Sequence, residues 1–377
     1  MHDRAQNDVR GLLDELVESG REIGIRVAAY LDGELVVDAW AGWADRARTE
    51  PVDGRTLFPV FSVSKGILAC LTHVLVDRGV LTYDTRVADL WPEFGAHGKA
   101  AITLAQVLEH SAGVPYFPRG LSPDDLLDRE RIAGLIADTE PVWPPGTRTG
   151  YHSLTFGYLI GETLERATGR PLEDLVRDEL AVPLGLDGEL YVVPPLAQAA
   201  RLADVEATDI AACMAAVPAD NPFARAVGGI PVESIVPRRT VPPGRSWSTE
   251  APLPFAATMT ARAGARLYAA FAGGGEVDGV RLLRRASLEA ATTIRRRDVD
   301  EVAGVPALKS LGYLHADPVS GEREAAFGFG GLGGAEAYAD PEHRFSFAFT
   351  HNRLTPPTES DNAPAIAARI RAALGIE

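Results

Sequence analysis

The chain opens with apolar residues Val9, Leu12, Leu13, Leu16 and Val17 spaced among charges, a pattern that predicts an amphipathic helix over residues 5–19. Two apolar, β-branched runs follow, Gly24–Leu31 and Glu34–Trp40, joined by Asp32-Gly33. An Asp-Gly pair between such runs is a hairpin signal, because both central positions of the favoured turn need positive φ. From Ser62 the pattern changes again. Ile67, Leu68, Cys70, Leu71, Val74, Leu75 and Val76 are apolar almost all round a helix, which places that helix in a core. Gly79 supplies the C-terminal stop.

Between about 80 and 285 the pattern is mostly helical, broken by proline and glycine, with the clearest helices at Ile102–His110, Leu154–Thr168 and Thr258–Ala272. Pro141–Gly150 reads as a loop, and Pro231–Pro254 as a long surface loop able to line or cover a site. Strand patterns return at Ser310–Ala316, Ala325–Gly331, Ala335–Ala339 and Arg344–Asn352, and Pro364–Leu374 closes as a helix. Strands at both ends and helices between them predict an α/β (α+β) fold. Its antiparallel sheet is built from both termini, flanked by helices, with a mostly helical domain inserted. The division is 1–80 plus 286–377 around 81–285, with a site at their interface.

Composition narrows the class. Over 377 residues, 46% hydrophobic and 24% charged content is that of a globular chain. A formal net charge of −15 disfavours nucleic acid and anionic membranes as partners. Cys70 and Cys213 are too few for a disulfide scaffold, and Cys70 reads as a small core residue. The first residues hold no apolar leader region, and no run is long enough to span a bilayer. A cytoplasmic protein is expected. The sequence carries no signal of oligomeric state.

Candidate chemistry starts at Ser62-Val63-Ser64-Lys65. Residues three apart share a helix face, so Ser62 and Lys65 could exchange a proton. A serine hydroxyl needs a neighbouring base to become a useful nucleophile, and lysine serves only if burial or nearby cations lower its pKa. With three lysines and 14 serines, a chance S-x-x-K has odds of about one in nine, so the motif alone is weak. The plain alternative is a lysine snorkelling from a helix end. Against it stands the choice of residue: the chain uses arginine for nearly all its positive charge, and a lysine kept at a buried helix start is a group that can lose its proton, as arginine cannot.

Further segments join this one. They are Leu57–Gly79 around S-x-x-K, Ile102–Pro115 (ITLAQVLEHSAGVP), Pro144–Leu186, Thr258–Leu283 and Gly328–Arg353. Across nearly its whole length the chain thereby resembles the serine β-lactamase and penicillin-binding-protein superfamily. The resemblance is nearest to the class C β-lactamases and the related family VIII carboxylesterases.

That resemblance implies a catalytic set of Ser62, Lys65 and Tyr151. The family's Tyr-x-Asn element falls on Tyr151-His152-Ser153. Read alone, Tyr151 is better explained as a half-buried loop aromatic; beside the other matches the catalytic reading prevails. Ser153 replaces asparagine and reaches less far, which puts penicillin side-chain recognition in doubt. His152 is grouped with the substrate-side residues, although its place between the two motif residues implies a supporting role. The third element, Lys-Thr-Gly or His-x-Gly in relatives, falls on Phe329-Gly330-Gly331. Phe329 removes the side chain that would hold a β-lactam carboxylate. The resemblance also implies an oxyanion hole from the N–H groups of Ser62 and Leu332. The plain alternative for the glycine cluster is a tight hairpin under a helix.

The expected activity is that of a serine hydrolase acting on an ester or related acyl bond of a small molecule, through an acyl-enzyme and with weak or absent β-lactamase activity. Two alternatives stay open: an acyltransferase passing the acyl group to an alcohol or amine, and a non-catalytic member of the fold. No H-E-x-x-H, paired C-x-x-C, phosphate loop or G-x-S-x-G elbow is present, so no metal or cofactor is expected. His110 reads as a cap for helix-end carbonyls, His351-Asn352 as structural, and Asp124-Asp125 and Asp298–Glu301 as solvated loops.

Overall fold

The structure is a computed structural model that describes residues 2–122, 125–192, 194–231, 257–315, 324–356, 359 and 361–376. Its main element is a five-stranded antiparallel sheet of β1 (Gly24–Leu31), β2 (Glu34–Gly42), β8 (Phe327–Gly330), β9 (Glu336–Asp340) and β10 (Phe345–His351), in the order β2-β1-β10-β9-β8. Both ends of the chain therefore build one sheet. The β1–β2 turn has Asp32 at φ 51° and Gly33 at φ 83°, the two positive values that Asp-Gly accommodates.

Side chains alternate across the sheet with period two. Val27, Ala29, Phe345, Phe347 and Phe349 face the N-terminal helix His2–Glu18 and the C-terminal helix Asn362–Leu374. Ala28, Ala337, Ala339 and Ala348 face the other way, toward helix Ala261–Ala272. The small residues on this second face let the helix come close. A Cβ added at Gly264 would lie 3.0 Å from Ala348 Cβ, and Ser346 Oγ donates to the Ala265 carbonyl at 2.7 Å. So the helix at 261–272, which the sequence reading assigned to the inserted region, lies against the sheet.

A second sheet of β3 (Phe58–Phe61), β4 (Leu190–Tyr191) and β5 (Ala257–Met259) runs in the order β3-β5-β4, and β6 (Glu276–Val277) pairs with β7 (Val280–Arg281). The middle of the chain thus holds short strands as well as helices. Thr258, expected in a helix, lies in β5. The helix starts after Thr260, whose side chain caps it by accepting from Ala263 N–H at 3.1 Å. Helix Ile102–His110 is shorter than expected, at Leu104–Leu108, and a Thr103/Gln106 capping box fixes its start. Ser310–His315 forms no strand. Gly312 at φ +87° breaks the extended path, and Leu314 alone bridges to Gly328 at the sheet edge. Ala316 and most of the Pro231–Pro254 loop lie outside the described residues.

Helix Val63–Asp77 runs through the interior. Every residue from Val63 to Leu75 is buried. It ends at Gly79 (φ +75°), where Val80 N–H returns to the Leu75 carbonyl at 3.0 Å. The end of this helix nearest β3 holds Ser62 and Lys65.

Candidate active site

Strand β3 ends at Phe61, which has a positive φ of 44°, unusual for a bulky residue. This corner turns the chain directly into the Val63–Asp77 helix, with Ser62 as its N-cap. Ser64 holds the corner: its Oγ donates to the Phe61 carbonyl and accepts from Ala257 N–H at 2.8 Å, tying helix start to β5. One turn along, Lys65 folds back. Its Nζ donates to Ser62 Oγ at 3.0 Å. At Gly66 a Cβ would lie 2.1 Å from Tyr268 Oη, so only glycine lets the helix sit this near helix Ala261–Ala272.

Tyr151 arrives from a separate loop. Gly150 N–H donates to the His110 carbonyl at 3.0 Å, and Thr149 Oγ1 donates to the Glu109 carbonyl at 3.1 Å. These bonds bring the Tyr151 hydroxyl to 2.7 Å from Ser62 Oγ, to which it donates. Three side chains far apart in sequence thus meet at one oxygen.

The surroundings set their proton affinities. Lys65 is 1% exposed, and burial lowers its amine to about 7. Its Nζ lies 4.8 Å from the Tyr151 ring centre and 5.8 Å from that of Phe329. Those π faces favour the cation, yet a desolvated contact of this kind returns only ~2 kcal/mol. A lysine at about 7 disfavours its charged form by roughly 5 kcal/mol, so burial wins. Burial likewise raises the Tyr151 phenol, with the Ser62 hydrogen bond opposing it. Near neutral pH the phenol holds its proton and the amine is divided between its two forms.

Ser62, Lys65 and Tyr151 open onto a cavity of about 380 Å³ that Phe61, Ser153, Phe329, Gly330 and Leu332 also line. Met214, Phe223, Val227 and Ile230 form an apolar wall, with Val305, Ala307 and Leu314 on another. Phe329 stacks on Tyr151 with ring centres 6.1 Å apart and planes at 28°. Gly331 is set back: a Cβ there would meet the Val60 carbonyl at 2.4 Å, and its N–H donates to the Ala335 carbonyl at 2.7 Å. It shapes the turn that presents Leu332.

His152 does not face the cavity. It is fully buried, accepts from Val114 N–H at 3.2 Å through Nε2, and donates from Nδ1 to the Gly150 carbonyl at 2.7 Å. Burial lowers its imidazole to about 4, so it stays neutral. It braces two loops and is no substrate contact. His110 is not a carbonyl cap either. Its Nδ1 accepts from His152 N–H at 3.1 Å, and its ring centre lies 5.4 Å from that of Tyr151. Asn352 is structural, as its type and place imply, with Oδ1 accepting from Gly24 N–H at 2.8 Å. His351 is likewise structural and pairs with buried Glu22.

The 298–301 segment corrects the sequence reading most. Asp300 is 1% exposed, accepts from Tyr151 N–H at 3.0 Å and pairs with buried Lys309. Both line the cavity. The signal was available: the lysine-for-arginine argument made for Lys65 applies equally to Lys309. One group of metal-type donors occurs among the described residues, Asp340, Glu342 and His343. There Arg371 and His343 already engage the Asp340 carboxylate, at 2.9 and 2.8 Å. No helix among the described residues is long and apolar enough to cross a membrane.

The sequence and the fold match a known family. The profile of the Beta-lactamase family matches residues 9–371, and the chain belongs to that family. It is 39% identical over 345 residues to Esterase/beta-lactamase LipL of Mycobacterium tuberculosis, across 89% of this chain and 78% of that one. Among solved structures, a penicillin-binding protein homologue from Caulobacter crescentus superposes with a TM-score of 0.81 at 33% identity, covering 98% of each chain. A family VIII carboxylesterase superposes with a TM-score of 0.83 at 29% identity, covering 97% of each.

Proposed function

We propose that the chain is a serine hydrolase that cleaves an ester or related acyl bond of a small molecule through an acyl-Ser62 intermediate. The observation that carries this reading is the convergence on Ser62 Oγ of Lys65 Nζ at 3.0 Å and Tyr151 Oη at 2.7 Å.

In this reading Ser62 Oγ attacks the substrate carbonyl carbon. Its proton passes to the neutral form of Lys65, whose amine near 7 can accept it, and Tyr151 relays it to the departing alkoxide. Both partners act through positions they already occupy, so little entropy remains to be lost. The N–H groups of Ser62 and Leu332 hold the tetrahedral oxyanion. Ser62 is at a helix N-cap, where backbone donors lack intrahelical partners. Water then attacks the acyl-enzyme, the same pair manages that proton, and the acid leaves.

An apolar substrate suits the cavity, whose walls of Met214, Phe223, Val227 and Ile230 offer no charge. Phe329 supplies an aromatic surface where relatives resembling β-lactamases carry a polar side chain, which favours neutral esters over carboxylate-bearing lactams. The same apolar walls give a footing to the second reading, transfer of the acyl group to an alcohol or amine in place of water. LipL, named as an esterase/β-lactamase, and the family VIII carboxylesterase support the ester reading. The exposed free thiol of Cys213 supports a reducing, cytoplasmic setting. The two-part organisation, with 81–285 inserted between 1–80 and 286–377, belongs to the same proposal, with helix 261–272 counted with the sheet.

Intact-mass spectrometry after mixing with a p-nitrophenyl ester tests the intermediate. A mass increase equal to the acyl group, lost with Ser62→Ala, is expected. Faster release with an added alcohol than with water alone would mark the transferase. A fluorophosphonate probe that leaves the wild-type chain unlabelled would mark the non-catalytic alternative.

A further inference from the structure

Beneath Tyr151 lies a buried ion pair that the reaction scheme above does not use. Asp300 Oδ1 accepts three backbone N–H groups: Tyr151 at 3.0 Å, Val302 at 2.8 Å and Ala303 at 2.8 Å. Its other oxygen accepts a hydrogen bond from the Lys309 ammonium. Lys309 Nζ also donates to Thr149 Oγ1 at 2.7 Å, two residues before Tyr151. Both residues are 1% exposed and both line the cavity.

One carboxylate therefore ties together two unrelated pieces of the site. On one side is the backbone of Tyr151, whose hydroxyl touches Ser62. On the other is the 301–305 tongue, closed by Gly304 N–H to the Asp300 carbonyl at 2.7 Å and Asp300 N–H to the Val305 carbonyl at 2.9 Å. Ala303 and Val305 of that tongue line the cavity. The choice of residues fits a device for holding. A carboxylate has lone pairs enough for three amides and an ammonium. A lysine in a chain with 34 arginines supplies a compact, three-donor head where a planar fork would not share itself between Asp300 and Thr149.

A buried pair of this kind adds little stability over a well-packed apolar substitute, while removal of one partner leaves a charge stranded. Its presence at the cavity wall calls for another account. We propose that Asp300, with Lys309 as its counter-ion, is the positioning residue for Tyr151, setting the phenol against Ser62 and fixing the cavity wall at 301–305 in one contact. This inference rests on the reading of Ser62 and Tyr151 as reacting groups. The groups facing the pair are Arg296 and Asp298 beside Lys309, and neutral His110 and His152 beside Tyr151.

A double-mutant cycle between Asp300 and Tyr151 tests it, read as single-turnover acylation by a p-nitrophenyl ester. Asp300→Asn is expected to lower the acylation rate about tenfold while KM moves less than about threefold. In a Tyr151→Phe background the same change is expected to cost less than about twofold, because there is no phenol left to aim. An unaltered rate in Asp300→Asn, or the same tenfold loss in both backgrounds, would overturn the proposal; the latter would mark a general structural effect. If Asp300→Asn does not fold by near-UV circular dichroism, the neutral double variant Asp300→Asn/Lys309→Met carries the same cycle with the same two outcomes. Ser62→Ala measured alongside separates the two layers. Turnover by Ser62→Ala would bring down the reading of the site itself, whereas an inactive Ser62→Ala beside an uncoupled Asp300 would bring down only this inference.

Discussion

The hydroxyls of Tyr151 and Ser62 stand 2.7 Å apart although 89 residues separate them in sequence. Lys65 Nζ donates to the same Ser62 oxygen at 3.0 Å, so the three side chains share one hydrogen-bond network. Ser62→Ala is expected to abolish hydrolysis of p-nitrophenyl esters, because no other hydroxyl occupies its place. Lys65→Ala and Tyr151→Phe are each expected to lower kcat/KM by about 10² to 10⁴. Initial rates at saturating and limiting ester check all three, and wild-type turnover in any of them removes that residue from the scheme.

The pH profile follows from Lys65. Its protonated form cannot accept the Ser62 proton, and its amine lies at about 7. The value of kcat/KM is therefore expected to rise with pH through about 7 and then level off. Burial causes the depression, and Phe329 is part of what buries the amine. Phe329→Ala lets water toward Nζ, so the rising limb is expected to move alkaline by about one unit. A limb unmoved in Phe329→Ala would separate the aromatic wall from the base.

Removing the Lys65 amine should move stability and activity in opposite directions. The Lys65 amine titrates at about 7 when folded and near 10.5 when unfolded, so between those values the unfolded chain holds more protons. Stability rises with pH across that window, and the penalty for burying this group is fully present below it. Lys65→Met keeps the volume and drops the charge. It is expected to be inactive yet more stable at pH 7 by on the order of 1–3 kcal/mol, with the advantage shrinking toward pH 10. Urea unfolding at pH 7 and pH 10 measures both.

Substrate charge is the fourth test. With Phe329 where a cationic or hydrogen-bonding side chain would meet a carboxylate, nitrocefin turnover is expected to be at most about a hundredth of that of a short p-nitrophenyl ester. Comparable rates for the two would contradict the role given to Phe329.

The sequence made the sheet and the Ser62 helix legible because their signals are local. The period-two runs, Asp32-Gly33 and the all-apolar stretch from Ile67 to Val76 each determine their own backbone. Ser62 and Lys65 were readable for the same reason, being one turn apart. Tyr151 was not readable from its own neighbours; its role emerged only through the family resemblance, since the loop bonds from His110 and Glu109 that carry it are tertiary. Asp300 was misread because an acidic run is ordinarily solvated; the rare Lys309 was a signal of a buried cation, but its pairing with Asp300 is a tertiary contact. His152 was grouped with the substrate contacts because adjacency to Tyr151 says nothing of direction, and its ring turns inward to Val114 and Gly150. Ser310–His315 looked like a strand until Gly312 bent it.

Lys65, Lys99 and Lys309 are the chain's full set of lysines, and each is at most 1% exposed. The folded exterior therefore presents guanidinium and carboxylate groups but no lysine amine. Bulky amine-directed dyes and ubiquitin-conjugating machinery would find no lysine to couple until the interior opens, and small acylating agents would reach one only through the cavity that Lys65 and Lys309 line. Lysine modification of this chain thus reports the opening of its interior rather than the accessibility of its skin.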